Sequence, residues 1–254
     1  VNEMKAIFLT DKGRVRPHNE DCGGIFTNEY GQILAIVADG MGGHRAGDVA
    51  SEMAVEKLKE YWEQSPLIRS PREAEEWLST HVEKVNRDLF EYAKTNEDCQ
   101  GMGTTIVTFI CHDSFATISN IGDSRCYLRN SSGFKQITED HSLVNELLKS
   151  GQISKEDAKQ HPRKNILLRA LGTEEAVQMD TKTIGIDPGD HLLLCSDGLS
   201  NKISEDELLE ILTSSFTNEE KATKLIQRAN ENGGEDNITV ILYEHPEEKG
   251  DDAC

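Results

Sequence analysis

The chain has 254 residues, 36% of them hydrophobic, enough for one large domain or two small ones around a sizeable core. Its 27 basic and 46 acidic residues leave a net charge of −19, which argues against nucleic acid or an anionic membrane as partner. No apolar run approaches the ~20 residues that a bilayer demands, the N-terminus has no signal-peptide pattern, and the six cysteines, Cys22, Cys99, Cys111, Cys126, Cys195 and Cys254, include no close pair. A soluble, cytoplasmic protein built as one domain over residues 1–245 is the expectation.

Residues 4–10 alternate weakly and predict an opening strand, closed by the turn residues Asp11, Lys12 and Gly13. The stretch Arg14-Val15-Arg16-Pro17-His18-Asn19-Glu20-Asp21 is too polar and proline-broken for a helix. It sets two arginines close to two adjacent carboxylates. Such a loop can serve an anion and a cation, although a solvated loop with a local ion pair has the same composition. Residues 22–26 and 32–38 read as a hairpin whose second arm is apolar throughout, like a strand buried on both faces, and delivers Asp39 to the edge of a core. A lone carboxylate there is costly, and a cation is one of the few partners that keeps it charged. Gly40, Gly42 and Gly43 allow left-handed or crowded backbone, so a main-chain carbonyl can turn toward the same ion. Asp-Gly after a strand is also a common hairpin turn.

From residue 46 to 62 the apolar period becomes helical. A second helix starts after Ser70, with Pro71 in its first turn and Glu73 completing a capping signature, and runs to about residue 95. His81 lies on its apolar stripe as a core histidine. Residues 104–111, 115–121 and 126–129 are rich in Thr, Ile, Val and Phe, and short turns between them imply antiparallel pairing. Gly122-Asp123 sits at the end of one of these strands. Residues 140–172 form a polar helical insertion with caps at Ser142 and Ser154; a mobile cover over a site and a plain surface hairpin both fit it. Two further strands span 177–186 and 191–195, the second running through Ser196 into Asp197-Gly198 and so repeating the first motif. Helices follow from Ser204 and over 218–232, stopped by Gly233-Gly234. Asp236-Asn237 then lead into a strand at 238–242, and residues 246–254 form an acidic tail expected to be disordered.

Four carboxylates, Asp39, Asp123, Asp197 and Asp236, thus stand at strand ends, three of them beside a glycine. Each alone is compatible with a turn. Where their strands lie side by side the charges converge, and such a cluster is stable only around cations. Hard oxygen donors suit magnesium or manganese rather than zinc. Two such ions about 4 Å apart, sharing one carboxylate, present hydroxide at neutral pH and clamp an in-line displacement at phosphorus. The Arg16 loop would hold the phosphate oxygens.

The motifs Arg16-x-x-Asn19-Glu20-Asp21, Asp39-Gly40-Met41-Gly42-Gly43-His44, Gly103-Thr104-Thr105, Gly122-Asp123-Ser124-Arg125, Ser196-Asp197-Gly198 and Asp236-Asn237-Ile238-Thr239-Val240, in this order, resemble the metal-dependent protein phosphatases of the protein phosphatase 2C-like group, above all its compact bacterial members. The resemblance covers residues 4–243. It implies an α+β fold, a four-layer α-β-β-α sandwich of two antiparallel sheets flanked by helical pairs, with residues 140–172 as a small helical flap. It implies that Asp39 bridges two ions, that the Gly40 carbonyl binds one of them, and that Asp197 and Asp236 complete the other. Glu20 and Asp21 would act directly or through metal-bound water, Asp123 with Asp197 would hold a third ion, and Arg16 would bind the phosphate. The implied cofactors are two or three Mn2+ or Mg2+ ions.

The implied activity is hydrolysis of phosphoserine and phosphothreonine monoesters by direct attack of a metal-bridging hydroxide. The implied partners are phosphorylated proteins, a cognate serine/threonine kinase and its substrates, met by a monomer. Animal members carry a histidine, proposed as general acid, where this chain has Met41, so that role does not transfer; His44 is assigned to fixing the turn. Asn201 stands where many members have aspartate. No cysteine has an arginine at the spacing of a Cys-x5-Arg phosphatase loop. Two alternatives are a pseudophosphatase acting as a binding module, against which every acid of the motifs is retained, and a structural calcium-binding domain, for which no EF-hand spacing exists.

Overall fold

Two antiparallel sheets face each other in the computed structural model, which describes residues 6–43 and 46–246. The first sheet runs β1 (Ala6–Asp11), β11 (Ile238–Glu244), β10 (His191–Cys195), β7 (Arg125–Asn130), β8 (Gly133–Gln136). The second runs β2 (Asp21–Thr27), β3 (Ile33–Met41), β5 (Ile106–Cys111), β6 (Phe115–Ile121), β9 (Asp180–Gly185), with the short β4 (Gly103–Thr104) paired to the end of β3. Helices α1 (Ala46–Glu63) and α2 (Pro71–Thr95) cover the second sheet; α6 (Glu205–Thr213) and α7 (Asn218–Glu231) cover the first. Between β8 and β9 lie α3 (Leu143–Lys149) and α4 (Lys155–Gln160), and the single turn α5 (Asp197–Ser200) follows β10. The fold is the expected α+β, four-layer sandwich.

Strand periodicity explains why the sequence is apolar on both faces of the central strands. In β3, Leu34, Ile36 and Ala38 pack under α1 and α2, while Ala35 and Val37 point into the core between the sheets. In β10, Leu192 and Leu194 enter the same intersheet core, while Leu193 and Cys195 pack under α6 and α7. Each such Leu or Ile, fully buried, contributes roughly 1.5–3 kcal/mol, so three contiguous cores rather than one hold the four layers together.

Several boundaries differ from the sequence reading for identifiable reasons. β3 continues through Asp39 and Gly40 to Met41 because β2 pairs Asp21 with Asp39 on one side and β4 pairs Thr104 with Gly40 on the other. Asp39 is therefore inside a strand rather than at its end. The predicted strand 104–111 breaks at Thr105, whose hydroxyl accepts the Asp39 N–H at 3.0 Å and whose own N–H donates to the Asp39 carbonyl at 2.8 Å. β9 begins only at Asp180, since Val177 and Met179 pack against the α1/α2 core instead of joining a ladder. The insertion holds the two short helices α3 and α4, capped by Ser142 and Ser154 as read.

The helix starts follow local chemistry. Ser204 Oγ accepts the Glu207 N–H at 3.3 Å, and the Glu207 carboxylate accepts the Ser204 N–H at 3.1 Å. At Ser70 the reciprocal bond is displaced by one residue: Glu73 accepts from the Arg69 N–H at 2.7 Å. Ser204→Ala is expected to lower stability by about 1 kcal/mol without altering catalysis, checked by urea unfolding beside a turnover assay. Among the described residues no helix is long and apolar enough to cross a membrane. The expectations for His44 and, apart from Pro246, for the acidic tail lie outside the described residues.

Candidate metal centre

One end of the sandwich gathers the acids because strands of both sheets terminate there. Asp21 and Asp39 are register partners on β2 and β3; Asp197 opens α5 just past β10; Asp236 lies two residues before β11; Asp123 occupies the turn between β6 and β7. Hydrogen bonds join the sheets at this point. The Asp21 Oδ2 accepts from Ser196 Oγ and from Thr239 Oγ1, each at 2.7 Å, so the carboxylate of one sheet is held by hydroxyls of the other. Asn237 is a second junction: its Oδ1 accepts the Glu20 N–H at 2.8 Å, and its Nδ2 donates to the carbonyls of Lys12 at 2.8 Å and His18 at 2.9 Å. That side chain folds the Arg16 loop back over the sandwich end.

The two Asp-Gly motifs owe their glycines to close approach. A Cβ on Gly40 would stand 2.0 Å from the Gly47 carbonyl oxygen at the start of α1, and one on Gly198 would stand 1.9 Å from the Asn237 carbonyl oxygen. Both backbones therefore touch a neighbouring backbone where a side chain has no room. Gly40 N–H also donates to the Glu20 carbonyl at 3.0 Å, which brings the Glu20-Asp21 pair alongside Asp39-Gly40.

The acids perturb one another strongly. Burial holds the Asp39 carboxyl well above the ordinary range, reinforced by Asp21, Asp197, Asp123 and Asp236 in falling order. Burial pushes Asp21 up to about 7 against the opposing bonds from Thr239 and Ser196, Asp123 up to about 8 with help from Asp197, and Asp197 up to about 6 with help from Asp236. Glu20 is raised by burial, with Arg16 opposing. Arg16 donates from Nη2 to Asp236 Oδ2 at 2.8 Å; burial opposes its charge, but Asp236, Glu20 and Asp39 together hold its pKa above the usual value. With 45% of its side chain exposed, the guanidinium stands at the mouth of the acidic cluster.

Among the described residues no three His, Cys, Asp or Glu side chains stand as a ready ligand cluster. Two of the acids have partners of their own, Asp236 in Arg16 and Asp21 in two hydroxyls, while the facing charge of Asp197 helps to raise the Asp39 carboxyl. The residues nevertheless fit a hard divalent cation. The donors are all carboxylate or backbone oxygen, and two buried oxygens, Asp21 Oδ1 and Asp197 Oδ1, have no hydrogen-bond partner at all. A cation would supply the neutralising charge for such a group.

All eight residues singled out from the sequence, Arg16, Glu20, Asp21, Asp39, Gly40, Asp123, Asp197 and Asp236, are brought to this one region. What the sequence reading missed is the polar scaffold around them. Ser196, Thr239 and Asn237 orient Asp21 and Glu20, and Thr104 Oγ1 donates to the Asp39 carbonyl at 3.0 Å. The available signal was hydrophilic residues set inside apolar strand text, as Thr239 is between Ile238 and Val240. Asn201, at the position where an aspartate was expected, donates from Nδ2 to Asp197 Oδ2 at 3.0 Å, so it supports the neighbouring carboxylate.

A sequence profile of the family described as protein phosphatase 2C matches residues 14–233. The chain is 54% identical over 251 residues to the serine/threonine phosphatase stp of Listeria monocytogenes, covering 98% of this chain and 100% of that one. Among solved structures it is similar to the serine/threonine phosphatase Stp1 from Staphylococcus aureus, with a TM-score of 0.91, 41% identity and coverage of 95% of this chain and 94% of that one. It is also similar to the catalytic domain of the serine/threonine protein phosphatase PstP in complex with two manganese ions. There the TM-score is 0.82 and the identity 32%, with 94% of this chain and 96% of that one covered.

Proposed function

The chain belongs to the protein phosphatase 2C family, and on that premise we propose that its acidic sandwich end is the centre of a metal-dependent phosphatase acting on phosphoserine and phosphothreonine in proteins. The observation that carries this reading is the convergence of Asp21, Asp39, Asp123, Asp197 and Asp236 beside the exposed guanidinium of Arg16. Two or three Mn2+ or Mg2+ ions bound there supply Lewis acidity, which acidifies water and neutralises charge on the phosphoryl oxygens.

The chain's own residues do the rest. Asp39, whose carboxyl feels all four other aspartates, would be the shared ligand; the Gly40 carbonyl would serve one ion and Asp197 and Asp236 another, Glu20 and Asp21 would act directly or through bound water, and Asp123 with Asp197 would hold a third ion. Ser196 and Thr239 keep Asp21 in place, and Asn201 fixes the rotamer of Asp197. Arg16 binds phosphate oxygens with the same guanidinium that pairs with the Asp236 carboxylate, since the two anions match its fork alike. Burial pushes the thiols of Cys22, Cys111, Cys126 and Cys195 up, which disfavours a thiolate nucleophile at any of the four, in keeping with the reading of direct hydrolysis without a phosphoenzyme. The five described cysteines are unpaired, as a reducing compartment leaves them. With that goes the reading of a cytoplasmic monomer, one catalytic domain over residues 1–245, that opposes a cognate serine/threonine kinase on its phosphoprotein substrates.

The test is hydrolysis of a phosphothreonine peptide by metal-stripped protein titrated with Mn2+, Mg2+ and Ca2+. Turnover is expected with Mn2+ or Mg2+ only, and Arg16→Ala is expected to raise KM by about tenfold or more, the loss of a charge-assisted contact. Turnover indifferent to added ions, or an Arg16→Ala variant with unchanged kinetics, contradicts the assignment. Ion binding without turnover favours a binding module instead.

A further inference from the structure

The turn that carries Asp123 is gripped from three directions by one tripeptide, Glu139-Asp140-His141, at the root of the helical insertion. Asn120, before the turn, donates from Nδ2 to the Glu139 carbonyl at 2.8 Å. Arg125, after it, closes a fork on the Asp140 carboxylate, with Nε 3.0 Å from Oδ1 and Nη2 2.7 Å from Oδ2. Gly122, adjacent to Asp123, exchanges two hydrogen bonds with His141: the His141 N–H donates to the Gly122 carbonyl at 2.9 Å, and the Gly122 N–H donates to the imidazole Nδ1 at 3.1 Å.

Accepting that N–H requires the lone pair on Nδ1, so the neutral ring carries its proton on Nε2. Nε2 lies 3.2 Å from Asp180 Oδ2, at the start of β9, and 3.1 Å from Arg169 Nη1, which itself donates to Asp180 Oδ1 at 2.8 Å. Arg169 sits on the returning arm of the insertion, which is itself pinned by the Leu168 N–H to the His141 carbonyl at 2.8 Å. The His141 ring is 6% exposed, so water does not compete for either nitrogen. Gly122 has φ +103°, a conformation in which only glycine is unstrained, and both polar groups of its backbone bond to His141.

We propose that His141 is a positioning residue for Asp123: its ring holds the Gly122-Asp123 turn in place and ties that turn to Arg169 and Asp180, where both arms of the insertion meet. The proposal rests on the reading of Asp123 as a cation ligand. Removing the ring leaves the Gly122 N–H buried without an acceptor and releases the turn. Partners that orient a metal ligand typically weigh 10–100-fold in affinity. A residue that merely supported the fold would weaken all the ions together.

The experiment counts bound Mn2+ by electron paramagnetic resonance across a titration, with thermal unfolding recorded on the same samples. Asp123→Asn defines the ion that depends on Asp123. His141→Ala is expected to weaken that ion by about tenfold or more, to spare the others, and to have no added effect in the Asp123→Asn background. His141→Asn, whose Oδ1 can take the place of Nδ1 as acceptor, is expected to restore the affinity, and His141→Gln, which reaches toward Asp180 instead, is not. The Asn and Gln pair serves alone if His141→Ala does not fold. Wild-type Mn2+ binding by His141→Ala, equal weakening of every ion, or rescue by Gln rather than Asn overturns the proposal. If Asp123→Asn itself binds as wild type, the ligand assignment of Asp123 fails and the proposal falls with it.

Discussion

Asp39→Asn is expected to lower phosphatase turnover by on the order of 10³ or more, about 4 kcal/mol in the activation barrier, while making the metal-free protein more stable. The two effects have one cause. Desolvation and four facing aspartates hold the Asp39 carboxyl well above the ordinary range, and the carboxyls of Asp21, Asp123 and Asp197 are raised as well. These groups bind protons more tightly in the folded chain than in the unfolded one, where the reference value is 3.8. Between that value and about 8 the folded state therefore carries more protons, and the stability of the metal-free protein falls as pH rises. An amide at position 39 removes a carboxyl that desolvation and its neighbours raise, so the stability advantage of the variant should widen from pH 5 to pH 8.

Saturating Mn2+ should reverse the order, because wild type gains ligand-binding free energy that the variant lacks. Thermal unfolding at several pH values, with chelator and with Mn2+, reads both halves against the turnover assay. Full activity in the variant, or a metal-free variant less stable than wild type at pH 8, would sink the site as described.

Gly198→Ala is expected to destabilise the protein by about 3 kcal/mol or more, at the upper end of overpacking costs, and to remove activity with it. The added methyl would fall 1.9 Å from the Asn237 carbonyl oxygen, and the obstacle is backbone of the strand-entering segment rather than a side chain able to rotate away. Relief requires α5 and the 236–237 segment to separate, which pulls Asp197 from Asp236 and loosens the Asn237 contacts that hold the Arg16 loop. The midpoint of urea unfolding measures the first effect. Mn2+ affinity measured well below that midpoint measures the second. Gly189→Ala, at a turn glycine whose Cβ would meet open space but whose φ is +82°, gives the contrasting case of conformational strain without collision, and should leave Mn2+ affinity unchanged.

The acids themselves were legible one by one. Apolar runs ending in Asp39 and Asp197, and the isolated Asp123 and Asp236, stand out because a carboxylate at the end of a buried strand needs a reason, and burial cost is a local property of chain and solvent. The strand and helix order was equally legible, since periods of 2 and 3.6 are written into apolar spacing and caps such as Ser204-x-x-Glu207 mark helix starts. Glycine was legible as a need but misleading as a cause. The sequence suggests turns at Asp39-Gly40 and Asp197-Gly198, whereas the first is continuous strand and both glycines are required by backbone from elsewhere in the chain.

By itself, then, the amino-acid order determined which groups are chemically able to bind cations and phosphate, and which elements carry them. Only the tertiary structure decided which of them meet and what holds them. The Ser196 and Thr239 hydroxyls on Asp21, the Asn237 junction and the grip of His141 on Gly122 join residues 175, 218, 217 and 19 positions apart. Hydrogen bonds of that reach depend on the register and packing of two sheets, and no local pattern encodes them.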